Sequence, residues 1–500
     1  MERKTEAPKL EWAAAWLETT KGLYIDGAWD EGSTGATVQS INPANGKPLG
    51  TFASAGADDV DRAVAAARRA FESGEWRDMS RKERARRLHR IAALIREHQA
   101  ELATLESLDN GKLYKEAYHD DVTEAAELFE YYAGWTDKLY GELNPVEGDF
   151  VSFTTRDPIG VCGQIVPWNF PITMAVWKLA PALAMGNTVL LKPSSATSFS
   201  AIRLFEIIHE AGALPPGVVN LILGEGRIGS YISAHMGVDK VSFTGSTQVG
   251  KKLVHDSADS NLKPVTLELG GKSPNLIFAD APNLEAAIER SFYGLFTHKG
   301  EKCSAPTRLL VQRPVYDRVV EGVATLANGY RLGDPFDPAS DQGPQVSKAH
   351  MESILRHIEA GKREGARLVA GGTRDVSGAN ADGYYVRPTV FADATNDMSI
   401  AQEEIFGPVL VIIPFDTEDE AVAMANDSIY GLAAGLWTND VARAHRVAKR
   451  LQAGQVFVNR YGCYDYASPF GGWKQSGWGK EYALHSLASY TKMKAIWIAH

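Results

Sequence analysis

Residues 161–171 read Val-Cys-Gly-Gln-Ile-Val-Pro-Trp-Asn-Phe-Pro, and residues 188–194 read Thr-Val-Leu-Leu-Lys-Pro-Ser. Each is a short apolar run that stops at a turn residue, and each is followed by a stretch with helical spacing. The same rhythm continues, so that runs at 161–166, 188–192, 218–223, 240–244 and 264–269 alternate with helical stretches of about ten to fifteen residues. Such alternation predicts βαβ units and a parallel sheet, hence an α/β fold. Gly270-Gly271 is a joint, after which a second series follows at 275–278, 308–311, 367–370, 409–413, 433–437 and 456–459.

Working outward, residues 1–140 read as helices beside an early β segment. Ser80-Arg81-Lys82-Glu83 has the form of a capping box, followed by Leu88, Ile91 and Ile95 at helical spacing. A further helix is predicted over 123–139. Residues 141–157 turn polar and read as a hairpin leaving the body, and 489–499 read as a last strand without a partner nearby in sequence. Exposed strand edges of this kind need partners.

The chain has 500 residues, a length suited to about three domains. With 44% hydrophobic and 23% charged residues it reads as a globular protein with a large core, not a collagenous or disordered one. Its net charge of −10 offers no general footprint for nucleic acid or for an anionic membrane. Three cysteines, Cys162, Cys303 and Cys463, are too few for a disulfide framework and point to a reducing compartment. The charged start, Met-Glu-Arg-Lys-Thr-Glu, lacks a signal-peptide pattern, and the apolar runs are too short to span a bilayer. A cytoplasmic location is expected.

Two glycine loops invite nucleotide readings. Gly224-Glu225-Gly226-Arg227-Ile228-Gly229 fits the dinucleotide fingerprint but also an ordinary tight βα turn, and the next strand ends in Gly245 rather than in the expected acid. Gly245 to Lys251 has the spacing of a phosphate-binding loop, but Lys252 stands where a hydroxyl must ligate Mg²⁺. Both loops place backbone N–H groups at helix starts, where a phosphate is stabilised. A nucleotide cofactor fits the pair; triphosphate hydrolysis does not.

Three residues could carry chemistry. Cys303 lies in a polar loop flanked by Lys299 and Lys302, cations that would favour a thiolate; a free cysteine is otherwise core, as Cys162 is expected to be. Glu268 ends an apolar strand, where parallel-sheet proteins place their sites, although a solvated strand-end charge is the commoner role. Asn169, before Phe170-Pro171, is an amide donor or a simple helix N-cap.

Together with Val-Pro-Trp-Asn-Phe-Pro at 166–171, Leu-Lys-Pro-Ser at 191–194, Phe-Thr-Gly-Ser-Thr-Gln-Val-Gly at 243–250 and Leu-Glu-Leu-Gly-Gly-Lys-Ser-Pro-Asn at 267–275, these residues form an ordered set. Glu-Glu-Ile-Phe-Gly-Pro at 403–408 and Ser-Pro-Phe-Gly-Gly at 468–472 extend it. The sequence resembles the aldehyde dehydrogenase superfamily along nearly its whole length. The resemblance implies a Rossmann-like cofactor domain (1–140 and 158–270), an α/β catalytic domain (271–478) and a small β oligomerisation arm (141–157 and 479–500). It also implies a homodimer or homotetramer.

The activity implied is oxidation of an aldehyde to the carboxylic acid with hydride transfer to NAD(P)+. Cys303 would form a thiohemiacetal and then a thioester, and Glu268 would activate water. Asn169 and the Cys303 N–H would hold the oxyanion, with Lys178 and Glu481 relaying protons. The family's cofactor positions fall on Ile165, Val166, Pro167, Trp168, Lys192, Ser195, Gly226, Gly245, Ser246, Gly250, Leu269, Glu404 and Phe406. Many relatives carry glutamate where this chain has Ser195. A serine does not repel a 2′-phosphate, so NAD is expected with tolerance of NADP. Phe170, Met174, Trp177, Tyr464, Asp465 and Phe470 match substrate-tunnel positions and imply an apolar or aromatic aldehyde, with Asp465 leaving room for a polar or cationic tail at the mouth. Phe470 stands where betaine aldehyde relatives tend to carry tryptophan, which argues against a quaternary ammonium. No metal site is expected. A CoA-acylating relative generally lacks the base, so Glu268 argues against it; a non-catalytic relative would lack the nucleophile or the base.

Overall fold

Runs rich in Val, Ile and Leu that are buried on both faces form parallel strands only when helices cover both sides of the sheet. That is the arrangement in the computed structural model, which describes residues 5–500; the first four residues of the charged start lie outside it. The first sheet has the strand order 28–30, 23–25, 219–221, 188–192, 161–165, 240–244, 265–268, 477–478. Its five inner strands, Val219–Leu221, Thr188–Lys192, Val161–Ile165, Lys240–Thr244 and Val265–Glu268, run parallel. Both edges are antiparallel additions: Leu23–Ile25 beside Val219–Leu221, and Gly477–Trp478 beside Val265–Glu268.

The second sheet has seven strands, and the βα reading recovers six of them. Thr389–Ala392 was not expected: it is four residues long, follows a loop, and is parallel to Val409–Phe415. Sequence boundaries shift elsewhere by one or two residues. The helix predicted to reach 139 is Thr123–Ala133, which stops before Gly134, a poor helix former.

The β arm differs from expectation in one respect. The terminal strand is Thr491–Ala499, with Ser489 ending the helix Ala483–Ser489. It pairs along its whole length, antiparallel, with Phe150–Pro158 of the same chain. Leu143–Asn144 completes a three-stranded sheet. The two segments thus satisfy each other, and only the outer edges of the arm stay open. No helix among the described residues is long and apolar enough to cross a membrane.

Candidate active site

A cavity of about 660 Å³ opens at the carboxyl ends of the first sheet's strands, facing loops of the second. Of the residues singled out in sequence, it brings together Asn169, Glu268 and Cys303; Pro167, Trp168, Gly245, Ser246, Leu269, Glu404 and Phe406; and Phe170, Met174, Trp177, Tyr464 and Phe470.

Asn169 leaves strand Val161–Ile165 and precedes helix Pro171–Ala184. It does not cap that helix: the cap position is Phe170 and no side chain closes it. One Asn169 Nδ2 hydrogen is given to the Glu301 carbonyl at 2.9 Å, and the other has no acceptor among the described residues. A primary amide has two such hydrogens, so one remains for a ligand.

The loop that carries Cys303 is wound tightly. His298 and Lys299 adopt φ of 51° and 64°, a region costly for residues with a Cβ. Buried polar contacts hold them there. The Lys299 ammonium donates to the Asn110 carbonyl (2.6 Å) and its Oδ1 (2.9 Å) and pairs with Glu301 at 2.8 Å. Asn110 in turn donates to the Trp168 carbonyl at 2.8 Å. The amide-bearing loop and the cysteine loop are therefore tied to one buried knot.

This overturns the expected role of the flanking lysines. Lys299 is spent on Asn110 and Glu301, and Lys302 on the Thr297 hydroxyl at 2.6 Å. Burial pushes the Cys303 thiol up to about 12, and the carboxyls of Glu404 and Glu268 push it the same way. Cys303 is therefore a thiol at neutral pH, not a thiolate made by neighbouring cations. Cys162 is buried in its strand and its thiol is likewise raised to about 12, as expected of core.

Glu268 ends its strand nearly fully buried, and its Oε2 has no hydrogen-bond partner among the described residues. Burial raises its carboxyl well above the ordinary range; the Glu481 charge adds to this, while Lys178 and Lys480 oppose it. Gly471, at φ 152°, leaves space beside the carboxylate: a Cβ there would lie 2.7 Å from Glu268 Oε1. Lys178 and Glu481 lie behind the cavity wall, paired at 2.5 Å and buried.

Beside this triad the cavity offers places for a dinucleotide. Ser246 caps helix Thr247–Ala258, whose N-terminus faces the cavity. Lys192 is not among the cavity's lining residues; burial lowers its ammonium to about 8, and among the described residues it donates only to the Pro193 carbonyl at 3.1 Å. A buried cation without an anion suits ribose hydroxyls or a phosphate. Glu404 accepts from the Gly271 N–H at 3.0 Å, and Trp168 meets Phe406 edge-on with centroids 5.2 Å apart. Glu403 instead sits on the surface beside His357.

This arrangement joins a half-buried thiol, a carboxyl without a hydrogen-bond partner among the described residues and a free amide hydrogen in one cleft. The aldehyde dehydrogenase family model matches residues 29–496. The chain belongs to the aldehyde dehydrogenase family. Aldehyde dehydrogenase 1A1 of Gallus gallus is 47% identical over 95% of this chain and 93% of that protein. An NAD+ complex of aldehyde dehydrogenase from Bacillus cereus superposes with a TM-score of 0.95 at 45% identity, covering 99% of both chains. The P. syringae indole-3-acetaldehyde dehydrogenase AldA, solved as a cysteine-to-alanine variant with NAD+ and IAA, has a TM-score of 0.95 at 43% identity, covering 98% of this chain and 99% of that one.

Several positions in this aldehyde dehydrogenase depart from the sequence reading. Asp465 does not line the cavity; it is exposed and closes a local turn, its Oδ1 accepting from the Ala467 N–H at 2.8 Å and its carbonyl from the Ser468 N–H at 3.0 Å. Gly250 is a packing residue: a Cβ there would meet Leu269 Cδ2 at 2.8 Å, so its absence lets the helix approach the strand end. Ile165 and Val166 support the loop from the sheet, and Gly226 opens helix Gly226–Ala234 on the exposed surface. Ser195 is part-buried three residues beyond Lys192. Sequence reasoning missed Asp120, Asp121, Glu124, His298 and Tyr482, all of which line the cavity. The first three sit on or just after a π-helical turn, Ala117–Val122, which simple 3.6-residue periodicity does not reveal.

Proposed function

We propose that this chain oxidises aldehydes to carboxylic acids with NAD+, using Cys303 as nucleophile and Glu268 as base. The observation that carries the reading is the unpartnered, buried Glu268 carboxyl in one cavity with the Cys303 thiol and the free Asn169 amide hydrogen. A carboxyl whose affinity for protons is raised is the stronger base that a raised thiol requires.

Cys303 Sγ bonds the aldehyde carbon as Glu268 takes the thiol proton, and the carbonyl electron pair moves to oxygen. There Asn169 Nδ2 and the Cys303 N–H hold the negative charge. Lys192, Ser246, Trp168, Glu404 and Phe406 would hold the dinucleotide, with Gly245, Pro167 and Leu269 shaping its bed. When bound, it supplies the hydride acceptor. The C–H bond then breaks as hydride leaves and the oxyanion re-forms its carbonyl, giving the thioester; Glu268, having released the thiol proton, deprotonates a water that adds to the thioester carbon, and the C–S bond breaks with return of a proton to Cys303. The Lys178–Glu481 pair behind the base gives its proton a way out.

The cofactor reading extends to NADP, which Ser195 tolerates. The ring wall of Phe170, Trp177, Tyr464 and Phe470, with Met174, favours an apolar or aromatic aldehyde body. Residues 1–140 and 158–270 serve the cofactor, 271–478 the chemistry, and 141–157 with 479–500 association of subunits. Exposed Leu143, Phe150, Met493, Trp497 and Ile498 on the arm support a dimer or a dimer of dimers. The test is NAD+ reduction followed at 340 nm with acetaldehyde, benzaldehyde and an aliphatic series. Turnover lost in Cys303→Ala supports the reading, and turnover that survives overturns it.

A further inference from the structure

One carboxylate of the cavity has no part in the chemistry above. Glu124 lies in the second position of helix Thr123–Ala133, immediately after the π-helical turn. Such turns are rare and locally rotate the side chains that follow. Here the result is an acid in the wall of an aromatic chamber, where an unpaired charge is normally excluded.

The acid is fixed in place. Trp177 Nε1 donates to Glu124 Oε1 at 2.9 Å, and the Tyr482 hydroxyl donates to the same oxygen. Tyr482 makes that contact from a left-handed backbone, φ 61°, which a residue with a side chain adopts only when its surroundings impose it. Both donors fall on Oε1. Oε2 receives no hydrogen bond among the described residues and is not sealed from solvent. Among the described residues, no lysine, arginine or histidine nitrogen lies within 4.0 Å of the carboxylate. Of the cavity's other acids, Asp120 is solvent-exposed with its Oδ2 3.8 Å from His298 Nε2, outside the ring-lined chamber that holds Glu124. Asp121 is paired with Lys112, Lys302 is bonded to Thr297, burial keeps His298 neutral, and Arg290 is exposed.

A continuous wall connects the nucleophile's neighbour to this acid. The Ser304 hydroxyl is 2.7 Å from the Tyr464 hydroxyl. Tyr464 packs on Phe470, Phe470 on Trp177 and Trp177 on Tyr482, with ring centroids 5.9, 5.3 and 4.4 Å apart. An extended aldehyde on Cys303 would lie along these rings with its far end toward Glu124.

We infer that this chain's preferred aldehydes carry a protonated amine at the far end, whose N–H is accepted by Glu124 Oε2 while the Trp177 and Tyr482 rings flank the cation. Ring faces attract a cation, and a charge-assisted hydrogen bond to a desolvated carboxylate fixes its direction. Glu124 is then a specificity-determining residue, a role that rests on the aldehyde-oxidising reading. The proposal asks for an N–H, not charge alone, and so separates primary, secondary and tertiary amines from quaternary ammonium groups.

The test compares kcat/KM with NAD+ at pH 7.5 for 4-(dimethylamino)butanal, its hydrocarbon counterpart 5-methylhexanal, and 4-(trimethylammonio)butanal. The expected result is a preference of about tenfold or more for the dimethylamine over both others. Glu124→Gln should erase it, chiefly through KM, and change 5-methylhexanal by less than about threefold. Should the variants fold poorly, calorimetry on the wild-type holoenzyme gives the same answer: 4-(dimethylamino)butan-1-ol should bind more tightly than 5-methylhexan-1-ol. The inference is overturned if 5-methylhexanal is the equal or better substrate, if the amine preference survives Glu124→Gln, or if the two alcohols bind alike. If none of the three is turned over while acetaldehyde or benzaldehyde is, the inference is overturned and the activity stands; if no aldehyde is turned over, the activity falls and the inference with it.

Discussion

Glu481→Gln is the substitution whose consequences follow most directly from the site. The proton affinity of Glu268 is raised by burial first and by the Glu481 charge second, against the pull of Lys178 and Lys480. Glutamine keeps the shape of residue 481 and an oxygen for the Lys178 ammonium, now 2.5 Å from the carboxylate, but removes the negative charge. Loss of that charge lets Glu268 ionise at lower pH, and the uncompensated Lys178 cation acts in the same direction. Removing one like charge is worth on the order of one pKa unit, about 1.4 kcal/mol. The acid limb of kcat/KM against pH should therefore move down by about one unit, with a lower plateau because the base is weaker. Stability carries a separate expense: Lys178 is fully buried, and a buried ion stripped of its partner costs about 3–5 kcal/mol, an upper bound here because the amide oxygen remains. The assay is a pH–rate series from 5 to 10 with parallel thermal melts. Lys480→Met, which removes a cation that favours the ionised base, should move the limb upward. An unmoved limb in both variants, or a limb that rises in Glu481→Gln, would refute the electrostatic account of Glu268.

Asn169→Ala should lower kcat by about 10²–10³ with little change in KM, as expected for loss of one oxyanion donor; a loss below about threefold in a steady-state assay would remove Asn169 from that role. Ser195→Glu should suppress NADP-dependent turnover by tenfold or more while sparing NAD, read as the ratio of kcat/KM values, and equal loss with both would contradict the reading of Ser195. Light scattering should give a multiple of the 54.4 kDa chain mass, and Trp497→Asp on the arm's exposed face should shift it toward one chain; a wild-type monomer would contradict the assembly.

The alternation from 161 to 269 made the first sheet legible, because parallel strands buried on both faces write themselves as continuous apolar runs. Thr389–Ala392 was hidden because an irregular stretch with one short turn, Gly378–Asp382, and no α-helix separates it from Arg367–Ala370, so the strand–helix alternation gave no cue. The ordered motifs named Asn169, Glu268 and Cys303, and the cavity brings the three together. What could not be read was where long side chains end. Lys299 and Lys302 are neighbours of Cys303 in sequence, yet their ammonium groups turn to Asn110, Glu301 and Thr297. Asp465, adjacent to Tyr464, faces its own turn. Glu124 is remote from every motif, and a π-helical turn together with Trp177 and Tyr482 brings it into the cavity.

The central claim is that Cys303 carries the acyl group and Glu268 removes it. Glu268→Gln enzyme mixed with NAD+ and a turned-over aldehyde, quenched in acid and digested, tests it by mass spectrometry. The account predicts an acyl adduct, heavier by the acid minus water, on the peptide containing Cys303 and dependent on NAD+. An adduct on the Cys162 or Cys463 peptide, or none while the variant still turns over, would contradict it.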